Sequence, residues 1–431
     1  MSQSPLKVAV AGLGTVGAGT IRLLREQADV IAARAGRPVV VTAVSARDRS
    51  RDRCISLDGL EWYDDAVVMA EKADADVIVE VIGGSDGIAK KVCERALARG
   101  CHVVTANKAL VAIHGTALAQ LAESKGVTLA FEAAVAGGIP IIKALREGLT
   151  GNRVQQIYGI LNGTCNYILT TMRETGRDFG EVLAEAQALG YAEADPSFDI
   201  DGIDAAHKLT ILTSVAFGTA VDFAKMHIEG IRHVSALDIQ FAEELGYRIK
   251  LLGIARRTEA GIEQRVHPCM VPIHSSIGRV DGVFNAVVAE GDFVGRAVFE
   301  GRGAGAGPTA SAVAADLVDI AAGRRTPTFG VPAQALKPLD LSPMEGHRGA
   351  YYIRLMVLDR PGVFADIATA LRDEEVSMEA ILQRARAPGE TVPVVMTVHD
   401  TQEAAMERAI GRIKAIEAVV EPPRLIRIEA F

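Results

Sequence analysis

Cysteine is scarce in this chain of 431 residues: Cys54, Cys93, Cys101, Cys165 and Cys269 are scattered, with no CxxC pair among them. That spacing excludes a disulfide framework and a zinc-ribbon pattern, and fits reduced thiols in a cytoplasmic protein. Aromatics are only 5% of the residues, with a single tryptophan, so the cores must be aliphatic. No apolar run approaches the ~20 residues that span a bilayer. The opening stretch MSQSPLKVAVAG lacks a charged region followed by a long apolar one, so no signal peptide is expected. A long basic run is missing too, and the net charge is −8, which speaks against a nucleic-acid footprint. These absences leave a cytoplasmic globular protein of about two to four domains, with neither nucleic acid nor membrane as partner.

Patterned glycine is what the chain does have. LKVAVA (6–11) predicts a short buried strand that runs straight into Gly12-Leu13-Gly14-Thr15-Val16-Gly17, and TIRLLREQ predicts an amphipathic helix behind it. A GxGxxG stretch alone is weak evidence, but between a strand and a helix it has the context a dinucleotide fingerprint requires. Its glycines let backbone approach a pyrophosphate, which the helix N-terminus then receives on oriented N–H groups. Further strands at VVVTAVS (39–45), VIVEVIG (77–83) and CHVVTA (101–106) alternate with helices, the signature of parallel βαβ units. After the second strand the chain reads Ser45-Ala46-Arg47-Asp48, then Arg49, Arg51 and Arg53. Guanidinium groups there suit a 2′-phosphate better than bare hydroxyls, which favours NADP over NAD; the alternative is a solvated basic loop.

Lys108 follows the strand CHVVTA, at the carboxyl edge of the predicted sheet, where ligands bind in such folds. Farther on, DIDGIDAAHKL (199–209) sets Asp199, Asp204 and Lys208 before an apolar run, with Asp204 and Lys208 four apart on one helix face. Such a pair on a surface is worth little; beside a cleft it can hold a polar substrate. Residues 326–349 carry four prolines and little periodicity, and read as a linker. Beyond them, residues 350–431 alternate strands and helices, with the turn Asp359-Arg360-Pro361-Gly362-Val363 after the first strand.

TANKALVA (105–112), FEAAVAGGIPII (131–142), ILNGTCNYIL (160–169), ALGYAEADPSFDIDGIDAAHKL (188–209) and RGAGAGPTASAVAAD (302–316) together carry a resemblance over essentially the whole length. The chain resembles the homoserine dehydrogenases, in their longer bacterial form with a C-terminal ACT domain. The resemblance implies an α/β protein in three parts: a Rossmann-type dinucleotide-binding domain at 1–130, and an α+β catalytic and dimerisation domain at 131–325, whose last helix returns to the Rossmann domain. After the 326–349 linker comes a βαββαβ ACT domain at 350–431. The implied reaction is reversible NAD(P)-dependent reduction of L-aspartate 4-semialdehyde to L-homoserine, within threonine, methionine and isoleucine biosynthesis.

By the same resemblance Lys208 and Lys108 are the catalytic lysines, and Glu193 and Asp204 bind homoserine, with Asp199 at a further acidic position. Gly84, Thr105, Gly190 and Gly307 join residues 12–17, Arg47 and Lys108 around the cofactor. Glu132, Val135, Gly137 and Ile139 match a loop that holds a monovalent cation such as sodium through one carboxylate and backbone carbonyls; a plain tight turn is the alternative there. Asp359, Pro361, Gly362 and Val363 match an amino-acid effector site, with threonine expected on pathway logic, and a homodimer or homotetramer is implied. Two rivals stand beside this reading. Cys165 could serve a thioester-forming aldehyde dehydrogenase, although no histidine-base motif accompanies it. A nucleotide-sensing regulator without catalysis would leave the acid–lysine cluster without a role.

Overall fold

The computed structural model of the chain describes residues 4–384 and 389–431. Six short strands rich in valine and alanine form a wholly parallel sheet: β1 (Leu6–Ala11), β2 (Val39–Ser45), β3 (Glu61–Tyr63), β4 (Val77–Glu80), β5 (His102–Thr105) and β6 (Leu129–Ala130). Their spatial order is β3-β2-β1-β4-β5-β6, so the strand sequence reverses between β1 and β4. Ligands of doubly wound sheets bind in the crevice outside that switch point. Val8, Ala9, Val10, Ile78 and Val79 are wholly buried because helices cover both faces. One of these helices, Ala306–Ala321, comes from far along the chain. It packs on the Thr15–Glu26 helix where Gly19 leaves room, since a Cβ there would lie 3.0 Å from the Ala306 carbonyl oxygen. Val313 and Leu317 join the same apolar cluster as Val8 and Ile21.

The second sheet has ten strands: β7 (Val154–Ile160), β8 (His227–Ile228), β9 (Tyr247–Thr258), β10 (Gly261–Pro272), β11 (Phe284–Gly291), β12 (Gly295–Arg302), β13 (Arg348–Leu358), β14 (Met378–Leu382), β15 (Thr391–Gln402) and β16 (Arg424–Ile428). The main path runs β12-β11-β7-β9-β10-β16-β13-β15-β14, with β8 beside β10. The last four strands, with helices Val363–Asp373 and Glu403–Lys414, are a βαββαβ unit. Its edge strand β16 pairs in parallel with β10, Cys269 opposite Arg427 and Met270 opposite Ile428. The C-terminal module thus extends the sheet of the middle region.

Buried ion pairs fasten the same junction. Arg354 of β13 places Nε 2.6 Å and Nη2 3.2 Å from the two carboxylate oxygens of Asp238, which is fully buried and also closes a capping box with Ser235 on the Ala236–Glu244 helix. Arg265 of β10 donates to Glu429 at 2.6 Å, and Arg427 binds Glu403 and Glu229. Removing one partner of such a pair costs ~3–5 kcal/mol, because the other charge is left buried alone. The proline-rich segment also packs closely. Phe329 is buried with its ring centroid 5.3 Å from that of Phe131, Lys337 pairs with Thr219, and Leu341 pairs with Ile262. Asp359, Pro361 and Gly362 (φ +95°) form the turn after β13, with Pro361 and Gly362 exposed and Val363 buried. Among the described residues, no helix is long and apolar enough to cross a membrane.

Candidate active site

At the carboxyl edge of the parallel sheet the glycines have distinct tasks. Gly12 adopts φ +104°, and a Cβ there would lie 2.7 Å from the Val81 carbonyl oxygen at the exit of β4. At Gly17 a Cβ would fall 2.0 Å from the carbonyl oxygen of Gly12, so only glycine lets helix and strand meet. Gly14 has nothing within 4 Å. The middle glycine therefore leaves open space at the N-terminus of the Thr15–Glu26 helix, a cradle that fits a pyrophosphate. Leu13 is buried, and its carbonyl accepts from Arg53 Nε at 3.1 Å. Arg53 and Arg49 also lie over the Trp62 ring, at 5.8 and 5.7 Å from its centroid, while Arg47 is exposed just past β2.

A buried latch sets the neighbouring loops. Glu80, wholly buried at the end of β4, accepts from the Ile82 and Gly83 N–H groups through Oε1 and from the Thr105 hydroxyl through Oε2 at 2.6 Å. Thr105 Oγ1 in turn accepts the Asn107 N–H, and the Asn107 side-chain amide donates to the Gly84 carbonyl at 2.7 Å. Asn107 caps the Lys108–Ser124 helix. Thr105, expected beside the cofactor, gives its hydroxyl to this latch. The latch fixes the backbone from which Lys108 projects.

Lys108 Nζ lies 3.0 Å from Asp204 Oδ1, and Lys208 Nζ lies 2.7 Å from Asp204 Oδ2 and 2.7 Å from the Leu161 carbonyl. One carboxylate thus bridges two ammonium groups. The helix that carries it, Ile203–Phe217, is buried at every position from Asp204 to Val215, which is why a pair at that spacing is not a surface pair. The Lys108 side chain is 35% exposed against 11% for Lys208, so Lys108 faces the cleft and Lys208 its floor. Burial alone would raise the Asp204 pKa, but the two lysines and the hydrogen bonds from Lys208 and Asn162 hold it well below the usual carboxylate range. Burial would lower Lys108, yet Asp204, Asp199 and Glu193 together keep its pKa above the ordinary lysine value. A lysine brought toward neutrality by desolvation is therefore not the free-state condition here; Lys108 waits as an ammonium. Asp199 is pushed up by burial and by Asp204. Glu193 is exposed at the rim, close enough to act on Lys108.

Cys165 is wholly buried beneath these acids, its Sγ donating to the Asp199 carbonyl at 3.3 Å. Burial, with Asp199 and Asp204 adding, drives its thiol pKa well above the ordinary value, so no thiolate is available for a thioester mechanism. Gly190 (φ +76°) ends the turn after the Phe179–Ala188 helix, and Gly307 lies in the first turn of the Ala306–Ala321 helix; neither has a neighbour where a Cβ would stand. Glu132 is buried, with its two carboxylate oxygens each 2.9 Å from a backbone N–H, of Ile142 and Lys143. Burial and Asp316 push it up to about 7. Ala136 and Gly137 both take positive φ in the turn that carries Val135, Gly137 and Ile139.

Glu80, Asn107 and Asn162 escaped the sequence reading. Glu80 left a signal, as the one acid inside an otherwise apolar strand; the asparagines could be found only as residues one step before a helix.

A nucleotide turn and a two-lysine centre on one sheet edge equip a protein for hydride chemistry on a small polar molecule, and the class is that of NAD(P)-binding oxidoreductases. Comparison with known proteins narrows this. The profile of the homoserine dehydrogenase NAD-binding domain matches residues 12–132, that of homoserine dehydrogenase matches 140–318, and that of the ACT domain matches 351–418. A homoserine dehydrogenase of Pseudomonas aeruginosa is 48% identical over 432 aligned residues, covering 99% of both chains. The crystal structure of a homoserine dehydrogenase from Thiobacillus denitrificans superposes with a TM-score of 0.94 at 47% identity, covering 100% of this chain and 99% of that one. A hyperthermophilic archaeal homoserine dehydrogenase in complex with NADPH covers 75% of this chain and 100% of its own, with TM-score 0.65 and 26% identity. The chain belongs to the homoserine dehydrogenase family.

The two candidate reactive groups separate cleanly in experiment. Lys208→Ala should lower kcat by ~10²–10³-fold, the range expected for loss of a fixed donor to the reacting oxygen, while Cys165→Ala keeps most of it. Steady-state rates on both variants check this; the opposite pattern would return the cysteine mechanism.

Proposed function

We propose that this chain reduces L-aspartate 4-semialdehyde reversibly to L-homoserine, preferring NADP, by direct hydride transfer with no covalent intermediate. The Lys108–Asp204–Lys208 bridge at the dinucleotide cleft carries the reading. When bound, the dinucleotide supplies or accepts the hydride; Gly12, Leu13, Gly14, Thr15, Val16 and Gly17 would hold its pyrophosphate, with Gly84, Gly190 and Gly307 around it. Lys108 donates its proton to the substrate oxygen in the reducing direction and takes it back in the other. Lys208, tied down at two acceptors, orients that oxygen. Glu193, Asp199 and Asp204 supply the negative charge that receives the substrate's α-ammonium. A monovalent cation such as sodium fits at Glu132 with the carbonyls of Val135, Gly137 and Ile139. The support is chemical: Lys143 is shared between Asp316 and Asp319, so the buried Glu132 carboxylate next to Asp316 is short of positive charge, and carbonyl oxygens suit a hard, weakly held ion.

NADP preference rests on Arg47 and its neighbours, and on the NADPH named with the archaeal relative. A cytoplasmic setting agrees with five unpaired cysteines. Self-association as a homodimer or homotetramer agrees with apolar side chains left exposed around the edge strand β12, Phe293 at 89% and Val298 at 44%. In the ACT domain, Pro361 and Gly362 open a helix whose N-terminal N–H groups can receive the carboxylate of an amino acid. Asp359 would face that ligand's ammonium, and Val363, with its side chain in the core, would contribute backbone only. Threonine is the expected effector.

Two measurements test these finer assignments. NADPH and NADH oxidation with L-aspartate semialdehyde should show Arg47→Ala losing about tenfold or more in kcat/KM with NADPH and little with NADH; an unchanged ratio would remove the assignment. L-threonine should inhibit the intact enzyme, and Pro361→Glu, which sets a negative charge before the helix, should shift the inhibition curve to about tenfold higher threonine. Inhibition identical in the variant would move the effector elsewhere.

A further inference from the structure

We propose that Asn162 is a positioning residue for the reaction, its side-chain amide fixing Asp199 and Asp204 against the two lysines; this rests on reading Lys108, Asp204 and Lys208 as the reacting centre. Leu161 and Asn162 form the corner between β7 and the Gly163–Thr175 helix. Asn162 is 4% exposed, and its Oδ1 accepts the Cys165 N–H at 2.8 Å, capping that helix. With the oxygen committed, the amide nitrogen must face the other way. There it donates to Asp199 Oδ1 at 2.8 Å and to Asp204 Oδ2 at 2.8 Å. The corner is also fixed in place, since a Cβ on Gly163 would lie 2.7 Å from the Val283 carbonyl oxygen. Immediately before it, the Leu161 carbonyl holds the Lys208 ammonium. Two consecutive residues thus hold a lysine and both acids.

Folding does not require this. A helix N-cap needs only a side-chain oxygen, and serine or aspartate supplies one as well as asparagine does. The amide N–H₂ is additional to the cap, and its two hydrogens are divided between two carboxylates that repel one another. It leaves Asp204 Oδ1 to Lys108 while sharing Oδ2 with Lys208. Around it stand Asp199 and Asp201 from one side, Asp204, His207 and Lys208 from the buried helix, Lys108 from across the cleft, Glu193 at the rim, and the un-ionised Cys165 below.

The test uses two full-length variants, Asn162→Ser and Asn162→Asp, which both keep a capping oxygen and lose the amide donors. Thermal melting reports the fold, dinucleotide binding reports the neighbouring cleft, and kcat and kcat/KM for homoserine are followed against pH. Asn162→Ser should melt near the parent, Asn162→Asp should melt lower because it buries a third carboxylate, and both should bind NADPH within about twofold of the parent. Both should lose about tenfold or more in kcat, as displaced reacting groups do. Asn162→Asp alone, adding a third carboxylate, should also move the acid limb of kcat/KM upward by about one pH unit relative to Asn162→Ser. Parent-like kcat and pH profile in both variants, with Lys208→Ala still inactive, would overturn the proposal and leave Asn162 a helix cap. A parent enzyme that does not turn over homoserine would instead overturn the reading beneath it.

Discussion

Asp204 carries a negative charge inside a helix that is buried on all sides, and it can do so only because two ammonium groups reach it, one on each oxygen. A carboxylate taken out of water without such partners would be protonated or would destabilise the fold. The requirement spreads outward. Lys208 must sit one turn along the same helix, Lys108 must arrive from another domain, and the loop that delivers Lys108 must be rigid. Glu80 supplies the rigidity by tying the exits of β4 and β5 together. The sign of the pH effect follows from the lowered Asp204 pKa: its contribution to stability is present above the unfolded carboxylate value and is lost as pH falls through the folded one. The same charge arrangement ties the start of the Lys108–Ser124 helix to the buried helix that carries Asp204.

The C-terminal module is joined to this centre through backbone. β16 pairs with β10, β10 with β9, and β9 with β7, whose exit carries Leu161 and Asn162. Arg354 reaching Asp238 and Arg265 reaching Glu429 lock that path with buried charge. Any change in how the module sits must therefore be accommodated by a sheet that ends at the lysine centre. A detachable regulatory tail would need neither the shared sheet nor the buried pairs.

Local signals reached some of this architecture and missed the rest. The glycine turn, the parallel strands and the Asp204–Lys208 spacing are properties of short segments, and the chain states them openly. Proline content made residues 326–349 read as a linker, and how that segment packs was not legible: Phe329 lies on Phe131 and Lys337 pairs with Thr219, contacts that depend on residues about two hundred or one hundred positions away. For the same reason Asn162 looked like an ordinary residue before a helix; its second task appears only when Asp199 and Asp204 fold back over it. The proton state of Lys108 was also out of reach, because burial and three carboxylates push it in opposite directions and only their geometry decides.

That proton state can be measured directly. Lysines labelled with ¹³C at the ε-carbon, with Lys108 assigned by comparison with Lys108→Arg, can be titrated by NMR in the free enzyme. If Asp204 and its neighbouring acids hold Lys108 charged, its signal should stay that of an ammonium up to and beyond about pH 10. A Lys108 signal that titrates near neutrality would contradict the bridge as the determinant of the site.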